Sequence, residues 1–589
     1  MNTHHLFAQY FSKGSLAPYL HALSQKLSDG HVCIDVREPI DESITEFYPN
    51  VTPKIELNHL VGTPAETHKP FLLDQHLLYM QRYFKYEVAI CNAIHNLIAQ
   101  EADSKNNWTD LQPLIATLFP SEHLDWQFIA AIAAVQQQLT IITGGPGTGK
   151  TTTVAKILAL LIAQNSQLKI ALAAPTGKAS ARLAESLNNT NIPVSEATKT
   201  HFQALQPTTI HRLLGSIRNS IYFKHNAQNP LPYDVLIVDE CSMIDIALFA
   251  KMLDAIAPTT KVILLGDKNQ LSSVEAGSLF GDLCSLFEKN NTFSASFIAQ
   301  TQQNFPALRS RFEHLPLAPM EEIQHPLANH IVELQHSYRF KGNEDIGILS
   351  KAIIQSDLGV VENYIQQEIS EQIHIDTTYN TELLNRFLQH FKYYIQHEDG
   401  TATNIQEALE RFNHCRILAA TRDDANGVYN LNIQAEQYLH KQGLLPSIGA
   451  YYDNKPILIT ENNYTLGLYN GDIGLLRKDE DGVMKAHFLE RDEFGNTHIK
   501  SVLPGYITKY ETCFAMTIHK SQGSEFDYVF MALPKRTEHQ ILTRELIYTG
   551  ITRAKRHATI QADAALLLQA CSNTLTRTSG LKLRLQPKS

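Results

Sequence analysis

Apolar residues at Leu77, Met80, Phe84, Val88, Cys91, Ile94 and Ile98 recur at helical spacing and predict a helix across 77–98. On this pattern residues 1–115 read as a helical domain. The polar stretch 101–110, EADSKNNWTD, is rich in turn formers and marks a linker to the next unit. Beyond it the pattern changes to short apolar runs, Leu139–Thr143, Lys169–Ala174, Asp234–Val238 and Lys261–Leu265. Helical segments separate them, as in a parallel sheet with crossover helices. After the first run, Val154, Ile157, Leu158, Leu161 and Ile162 share one helix face. A second series, Arg416–Ala420, Tyr528–Leu533 and Ala558–Ala562, predicts another unit of the same kind. Between its parts, 451–507 is rich in β-formers, and Asn470-Gly471 and Asp481-Gly482 signal hairpins, so a small β insertion is expected there. Residues 291–326 show no clear period and read as including linker. The expected fold class is α/β, with units at 1–115, 116–330 and 331–589.

Length fits that division, because 589 residues at about 150 per domain suggest roughly four domains. With 43% hydrophobic and 19% charged residues, collagenous, low-complexity and disordered classes are excluded. The longest clean apolar run, Phe128–Val135, falls far short of the ~18 residues of a membrane span. The N-terminal MNTHHLFAQYFSKGS has no basic segment followed by an apolar one, so a cytoplasmic location is expected. The seven cysteines include no CxxC pair, and their odd number argues against a disulfide framework, so they read as reduced core residues. The net charge of −10 argues mildly against a nucleic-acid partner. Yet residues 1–115 hold eight Lys and Arg against thirteen Asp and Glu, half of that excess. The remainder is closer to neutral.

The strongest chemical signal is GGPGTGKT at 144–151, between an apolar strand and an amphipathic helix. Gly144, Gly145, Pro146, Gly147, Thr148 and Gly149 would let backbone N–H groups surround phosphates at the helix N-terminus, where partial positive charge favours an anion. Lys150 would reach the β- and γ-phosphates of ATP, and the Thr151 hydroxyl would ligate Mg²⁺. Asp239 ends the apolar run 234–238 and is followed by Glu240, which places two carboxylates at the C-terminal edge of a parallel strand. Asp239 would hold Mg²⁺, and Glu240 would orient or deprotonate the attacking water. Gln270, after the next strand, could contact the γ-phosphate or be an exposed loop amide.

With that site in place, eight segments stand in a recognisable order: GGPGTGKT, APTGKASARL (174–183), TTIHRLLG (208–215), VDECSM (238–243), LGDKNQLSSVEAG (265–277), SYRF (337–340), TIHKSQGSEF (517–526) and YTGITRAK (548–555). The series resembles that of superfamily 1 helicases and, within them, the RecD family of RecBCD-type bacterial helicase–nucleases. The resemblance implies two RecA-like P-loop motor domains, at 116–330 and 331–589, and a small β-barrel at 451–507. It implies an ATP-dependent 5′→3′ DNA motor serving double-strand break repair and homologous recombination. Gln127 would read adenine. Arg339 and Arg553 would reach the γ-phosphate from the second motor, where arginine accelerates phosphoryl transfer by neutralising developing charge.

By the same resemblance, Thr176, Lys178, Arg182, Thr209, His211, Thr517, His519 and Ser521 would face DNA. Hydroxyl, imidazole and amide donors can hold strand phosphates without a large basic excess. Each could equally serve a local capping role. The segment LYMQRYFKYE (78–87) is similar to the N-terminal domain that docks on RecB, so RecB-like and RecC-like subunits of a heterotrimer are the expected partners, alongside single-stranded and duplex DNA ends. Self-sufficient RecD-like helicases usually carry a longer N-terminal extension, for which 589 residues leave no room. No nuclease constellation is evident, so exonuclease activity is expected on a partner. An independent helicase and a non-motor ATP-binding subunit are the alternatives, and the intact Lys150, Asp239, Glu240, Arg339 and Arg553 argue against the second.

Overall fold

The apolar runs read as strands build two parallel sheets that face each other across a cleft. A computed structural model describes residues 2–586 except 104–107, 122–123, 219, 341–343, 367–369, 464, 480, 492–496 and 536–540. The first sheet has six strands in the order Ile331–Leu334, Leu139–Gly144, Lys261–Gly266, Val235–Val238, Ile170–Ala174, Thr208–Thr209. All its pairings are parallel. The strand Ile331–Leu334 therefore belongs to the first motor, and the boundary expected at 330 shifts past it. The eight-residue apolar run Phe128–Val135 lies in the helix Trp126–Gln136, and every one of its residues is buried.

The second sheet has five parallel strands in the order Ile373–Asp376, Ala554–Gln561, Phe526–Ala532, Cys415–Ala419, Ala515–Thr517. Inserted in it is an antiparallel sheet in the order Thr497–Val502, Met484–Arg491, Ile473–Lys478, Lys455–Ile459, Tyr510–Thr512. Ile457, Ile459, Leu468, Leu476, Ala486 and Phe488 form its separate core. Gly471 and Gly482, at φ of 97° and 78°, make the expected turns. The insertion extends to Thr512, beyond the expected 507. Among the described residues its two outer strands, Thr497–Val502 and Tyr510–Thr512, are not paired with each other.

The N-terminal unit is not built of helices alone. Its helices Thr3–Phe11, Ala17–Ser28 and Gln81–Ala99 pack with a four-stranded sheet in the order Cys33–Asp35, Leu77–Met80, Phe71–Asp74, Val61–Gly62. The expected helix over 77–98 thus begins only at Gln81, because Leu77–Met80 pairs antiparallel with Phe71–Asp74. Residues 291–326 are not linker: Phe293, Phe305 and Phe312 are fully buried against the first motor, around a helix at Ala295–Asn304. The linker expected at 101–110 lies partly outside the described residues. All seven cysteines are free and buried. No helix among the described residues is long and apolar enough to cross a membrane.

Three histidines are kept neutral mainly by burial. His21 is pushed from 6.5 down to about 4, helped by His4 and His5; His31 to about 4 beside Lys26 and Arg577; His325 to about 4 beside His95 and His330. Their unfolded values lie above their folded ones, so the unfolded chain binds more protons between these limits. Stability is full above pH 6.5 and is lost as pH falls toward 4. The melting temperature is expected to drop by roughly 5–10 °C between pH 7 and 5. A scan by differential scanning fluorimetry that stays flat over that range contradicts the assignment.

Candidate active site

A cleft of about 720 Å³ opens between the two sheets, at the C-terminal edge of the first. The strand Leu139–Gly144 feeds the glycine-rich loop into the helix Lys150–Gln164. Gly147 and Gly149 take φ of 75° and 81°. A Cβ at Gly147 would collide with Arg339, and one at Gly149 with the Gln127 amide, so glycine is required at both. Lys150 Nζ donates to Gly144 O at 2.7 Å and Gly145 O at 3.2 Å, and Thr148 Oγ1 donates to Gly145 O at 2.9 Å. Thr151 lines the cleft one residue on. Asp125 caps the helix that carries Gln127. The Gln127 amide donates to Thr148 O at 3.1 Å and accepts from Lys156 Nζ at 3.1 Å. It therefore braces the loop as well as lining the cleft.

Asp239 leaves the end of the strand Val235–Val238 and accepts from Glu240 N at 2.8 Å. Burial first, then the neighbouring Glu240 charge, raises its carboxyl to about 6 against the pull of Lys150 and Arg182. Glu240 sits at φ 54°, a left-handed conformation that costs a non-glycine residue on the order of 1 kcal/mol or more and gathers at functional sites. From the adjacent strand end, Asp267 is 1% exposed and accepts from Gln270 Nε2 at 3.0 Å and Tyr548 OH at 2.9 Å. Gln270 is thus buried in the cleft wall rather than exposed. Its Oε1 has no hydrogen-bond partner among the described residues.

Three arginines close the far side. Arg553 follows the helix Arg544–Ile551 of the second motor and is 2% exposed, anchored by Thr549 O at 3.1 Å and Ser524 O at 3.1 Å. Arg339 comes from the connection between the sheets rather than from the second motor proper. Its neighbour Tyr338 donates through N to Gly147 O at 2.8 Å. Arg339 and Arg182 both pair with Glu525, and Lys555 Nζ is 3.6 Å from the same carboxylate. Burial, reinforced by the charges of Arg182 and Arg553, holds Arg339 down to about 10. Arg339 Nη1 has no hydrogen-bond partner among the described residues. Positive charge is thus gathered around Glu525 in the cleft wall.

The residues expected to face DNA divide into four groups. Arg182 lines the nucleotide cleft and pairs with Glu525. Ser521 is fully buried and donates to Ile518 O at 2.6 Å, a local role. Thr176, Thr209 and Thr517 are half-buried at strand ends, where their hydroxyls accept from Ala179 N, Arg212 N and Lys520 N. Lys178 is pushed down to about 8 by burial and then by Arg416, with Asp472 of the insertion among its neighbours. His519 is lowered by burial, and His211 is exposed beside Phe223. The insertion comes close here: Tyr469 lies against Gly177 and under the Arg212 guanidinium, 5.7 Å from the ring centre. Beside it a second cleft of about 930 Å³ separates the insertion from residues 216–218 and 220–223, with His211, Arg218, Tyr222, Lys251 and Lys509 on its walls.

Glu525, Asp267, Tyr548 and Tyr338 complete the site without having been singled out, although each falls inside one of the motif segments. Tyr338 is 57% exposed beside the glycine-rich loop, an aromatic face open to the cleft. Residues 189–192, which also line the cleft, belong to no motif.

The chain is similar to known proteins along most of its length. Residues 127–276 match the AAA domain family and residues 512–560 the UvrD-like helicase C-terminal domain. The RecBCD enzyme subunit RecD of Haemophilus influenzae is 33% identical over 95% of this chain and 88% of its own. That of Mycolicibacterium smegmatis is 34% identical over 95% and 92%. Bacteroides Pif1 bound to ssDNA is a structural neighbour at 17% identity and a TM-score of 0.35, covering 74% of this chain and 92% of that one. With a third of its residues shared along nearly its whole length, the chain belongs to the RecD family of RecBCD enzyme subunits, superfamily 1 helicases.

Proposed function

We propose that the chain is an ATP-dependent DNA helicase motor that translocates 5′→3′ as the RecD subunit of a RecBCD-type helicase–nuclease. The observation that carries this reading is the cleft, where Lys150, Asp239 and Glu240 of the first motor face Arg553 of the second. ATP binds with its phosphates in the glycine-rich loop, its base beside Gln127 and Tyr338. Glu240 accepts the proton of the attacking water, and Gln270 aligns that water with the γ-phosphate. Arg339 and Arg553 neutralise the transferring group. A triphosphate offers Arg339 and Arg182 a stronger anion than Glu525, so binding exchanges an internal ion pair for a contact across the cleft and draws the motors together.

Thr151 and Asp239 would hold Mg²⁺. A hydroxyl and a carboxylate suit a hard cation, and the raised proton affinity of Asp239 beside Glu240 is relieved by positive charge. The ion when bound offsets charge on the phosphate oxygens.

One DNA strand passes over Lys178, Thr209, His211 and His519, covered by Tyr469 of the insertion, with the second cleft as its continuation. The acidic N-terminal unit docks on a RecB-like subunit, and the nuclease belongs to a partner. The full chain, purified with co-expressed RecB-like and RecC-like subunits carrying an inactivated RecB-like motor, is expected to separate a 5′-tailed duplex with ATP and to leave a 3′-tailed one intact. Unwinding of the 3′-tailed duplex alone overturns the polarity. Failure of the chain to co-purify overturns the subunit assignment.

A further inference from the structure

The C-terminal segment carries an arginine outside every motif, and it touches the nucleotide cleft's own loop. After the helix Ala564–Ser572 the chain runs without regular structure to the helix Leu581–Leu585. Its start is bound to the second motor, where Leu575 N donates to Glu545 Oε2 at 3.0 Å and Arg544 N to Asn573 O at 2.9 Å. Its end is bound to the N-terminal unit. Val32 N donates to Thr578 O at 2.9 Å, Gly580 N to Glu87 Oε1 at 2.9 Å, and Arg584 pairs with both Glu87 and Asp74.

Between these anchors Arg577 reaches the first motor. Its Nη1 donates to Ser273 O at 2.8 Å, Gly277 O at 3.1 Å and Glu275 O at 3.2 Å, three carbonyls of one loop. Gly30 of the N-terminal unit, at φ 92°, lies against the guanidinium where a Cβ would collide, and its carbonyl accepts from Gly277 N at 2.9 Å. The Ser273 hydroxyl donates to two of them, Glu275 O at 2.9 Å and Gly277 O at 3.1 Å, but only the guanidinium joins all three and brings a positive charge to their converging dipoles, so it sets the shape of the loop.

That loop begins at Gln270. Its next residue, Leu271, is tied to the second motor: its N donates to Thr549 Oγ1 at 3.0 Å, and Gln522 Nε2 donates to Leu271 O at 2.6 Å. Ser273 is three residues from Gln270, so extended chain between them spans at most about 10 Å. A change of shape at 273–277 has little length over which to dissipate before it reaches the cleft. Thr549 is also the residue whose carbonyl anchors Arg553.

We infer that Arg577 is a positioning residue for ATP hydrolysis, holding 271–277 so that Gln270 and the Thr549 contact stay aligned with the cleft. The inference rests on the reading of the cleft as the hydrolysis site. It also makes the seat of the N-terminal unit part of the motor's set-up, because the same strap is fixed at Gly30, Val32 and Glu87.

The test uses the full chain with Arg577→Ala and Arg577→Lys, in steady-state ATP hydrolysis at saturating single-stranded DNA. R577A is expected to lower kcat about tenfold with KM for ATP within about twofold, since alignment rather than binding is lost. Amide hydrogen exchange in 271–277 should speed up in parallel, and R577K, which restores a cation on a similar stem, should recover much of both. Wild-type kcat in R577A overturns the inference, as does a loss confined to KM or one that R577K does not repair. Should R577A fail to fold, R577Q, which keeps a stem and an amide N–H donor without the charge, takes its place with the same readings. Absence of ATP hydrolysis by the wild-type chain would instead remove the reading of the cleft.

Discussion

Lys150→Gln is expected to reduce DNA-stimulated ATP turnover by at least about 10³-fold, the scale of losing a preorganised positive donor at a reacting oxyanion. The lysine is placed for this by the strand–loop–helix junction, and its ammonium already lies among carbonyl oxygens, 2.7 Å from Gly144 O and 3.2 Å from Gly145 O. Glutamine is one atom shorter and keeps an N–H donor but removes the charge. The packing of Val154, Ile157, Leu158 and Leu161 beneath the helix is untouched, so far-UV circular dichroism and melting temperature should match those of the parent. Turnover within tenfold of wild type by a coupled phosphate-release assay overturns the assignment of the cleft.

Arg553→Ala is expected to lower kcat by about 10³-fold or more while leaving ATP affinity within roughly tenfold, because arginine fingers act mainly on the transferring phosphate. The geometry is specific to this position. Arg553 lies under Glu240 and Asp267 in electrostatic reach, is held by two carbonyls of its own motor, and faces the other. Two outcomes distinguish catalysis from packing. R553K, which keeps the stem and the charge but loses the planar fork, should remain severely impaired. A fluorescent ATP analogue should still bind. If R553K turns over ATP at the wild-type rate, Arg553 supplies only charge to the fold and not a shaped contact to the phosphate.

Both motor sheets were readable because a parallel strand covered on both faces is a near-continuous apolar run, as in Val235–Val238 and Leu139–Gly144. The N-terminal sheet was hidden for the opposite reason. Val61–Gly62 and Cys33–Asp35 are two and three residues long, and Leu77–Met80 runs straight into a helix whose apolar face continues its spacing. Residues 291–326 looked like linker because Phe293, Phe305 and Phe312 are buried from short irregular turns without a period.

At the site, motif membership located the cleft but not the direction of each side chain. Lys178 and Arg182 share a helix face four residues apart, about 6 Å along the axis. That rise separates the insertion's side from the partner Glu525 in the nucleotide cleft. Glu525 itself runs against simple charge matching, since an acid beside a phosphate site makes sense only once the arginines it holds are visible. Arg577 had no signal at all, because its receptors are backbone carbonyls whose arrangement leaves no trace in residue type.

The edge strand Ile331–Leu334 has a mechanical meaning. Only Gln335 and His336 separate its last paired residue from Ser337, whose hydroxyl donates to Pro146 O at 3.2 Å, and Tyr338 is tied to Gly147 O. The connection leading to the second motor is therefore laced directly to the phosphate loop. Any rotation of the second motor about this connection would pull on the phosphate loop through Ser337 and Tyr338, like a crank keyed to its own shaft.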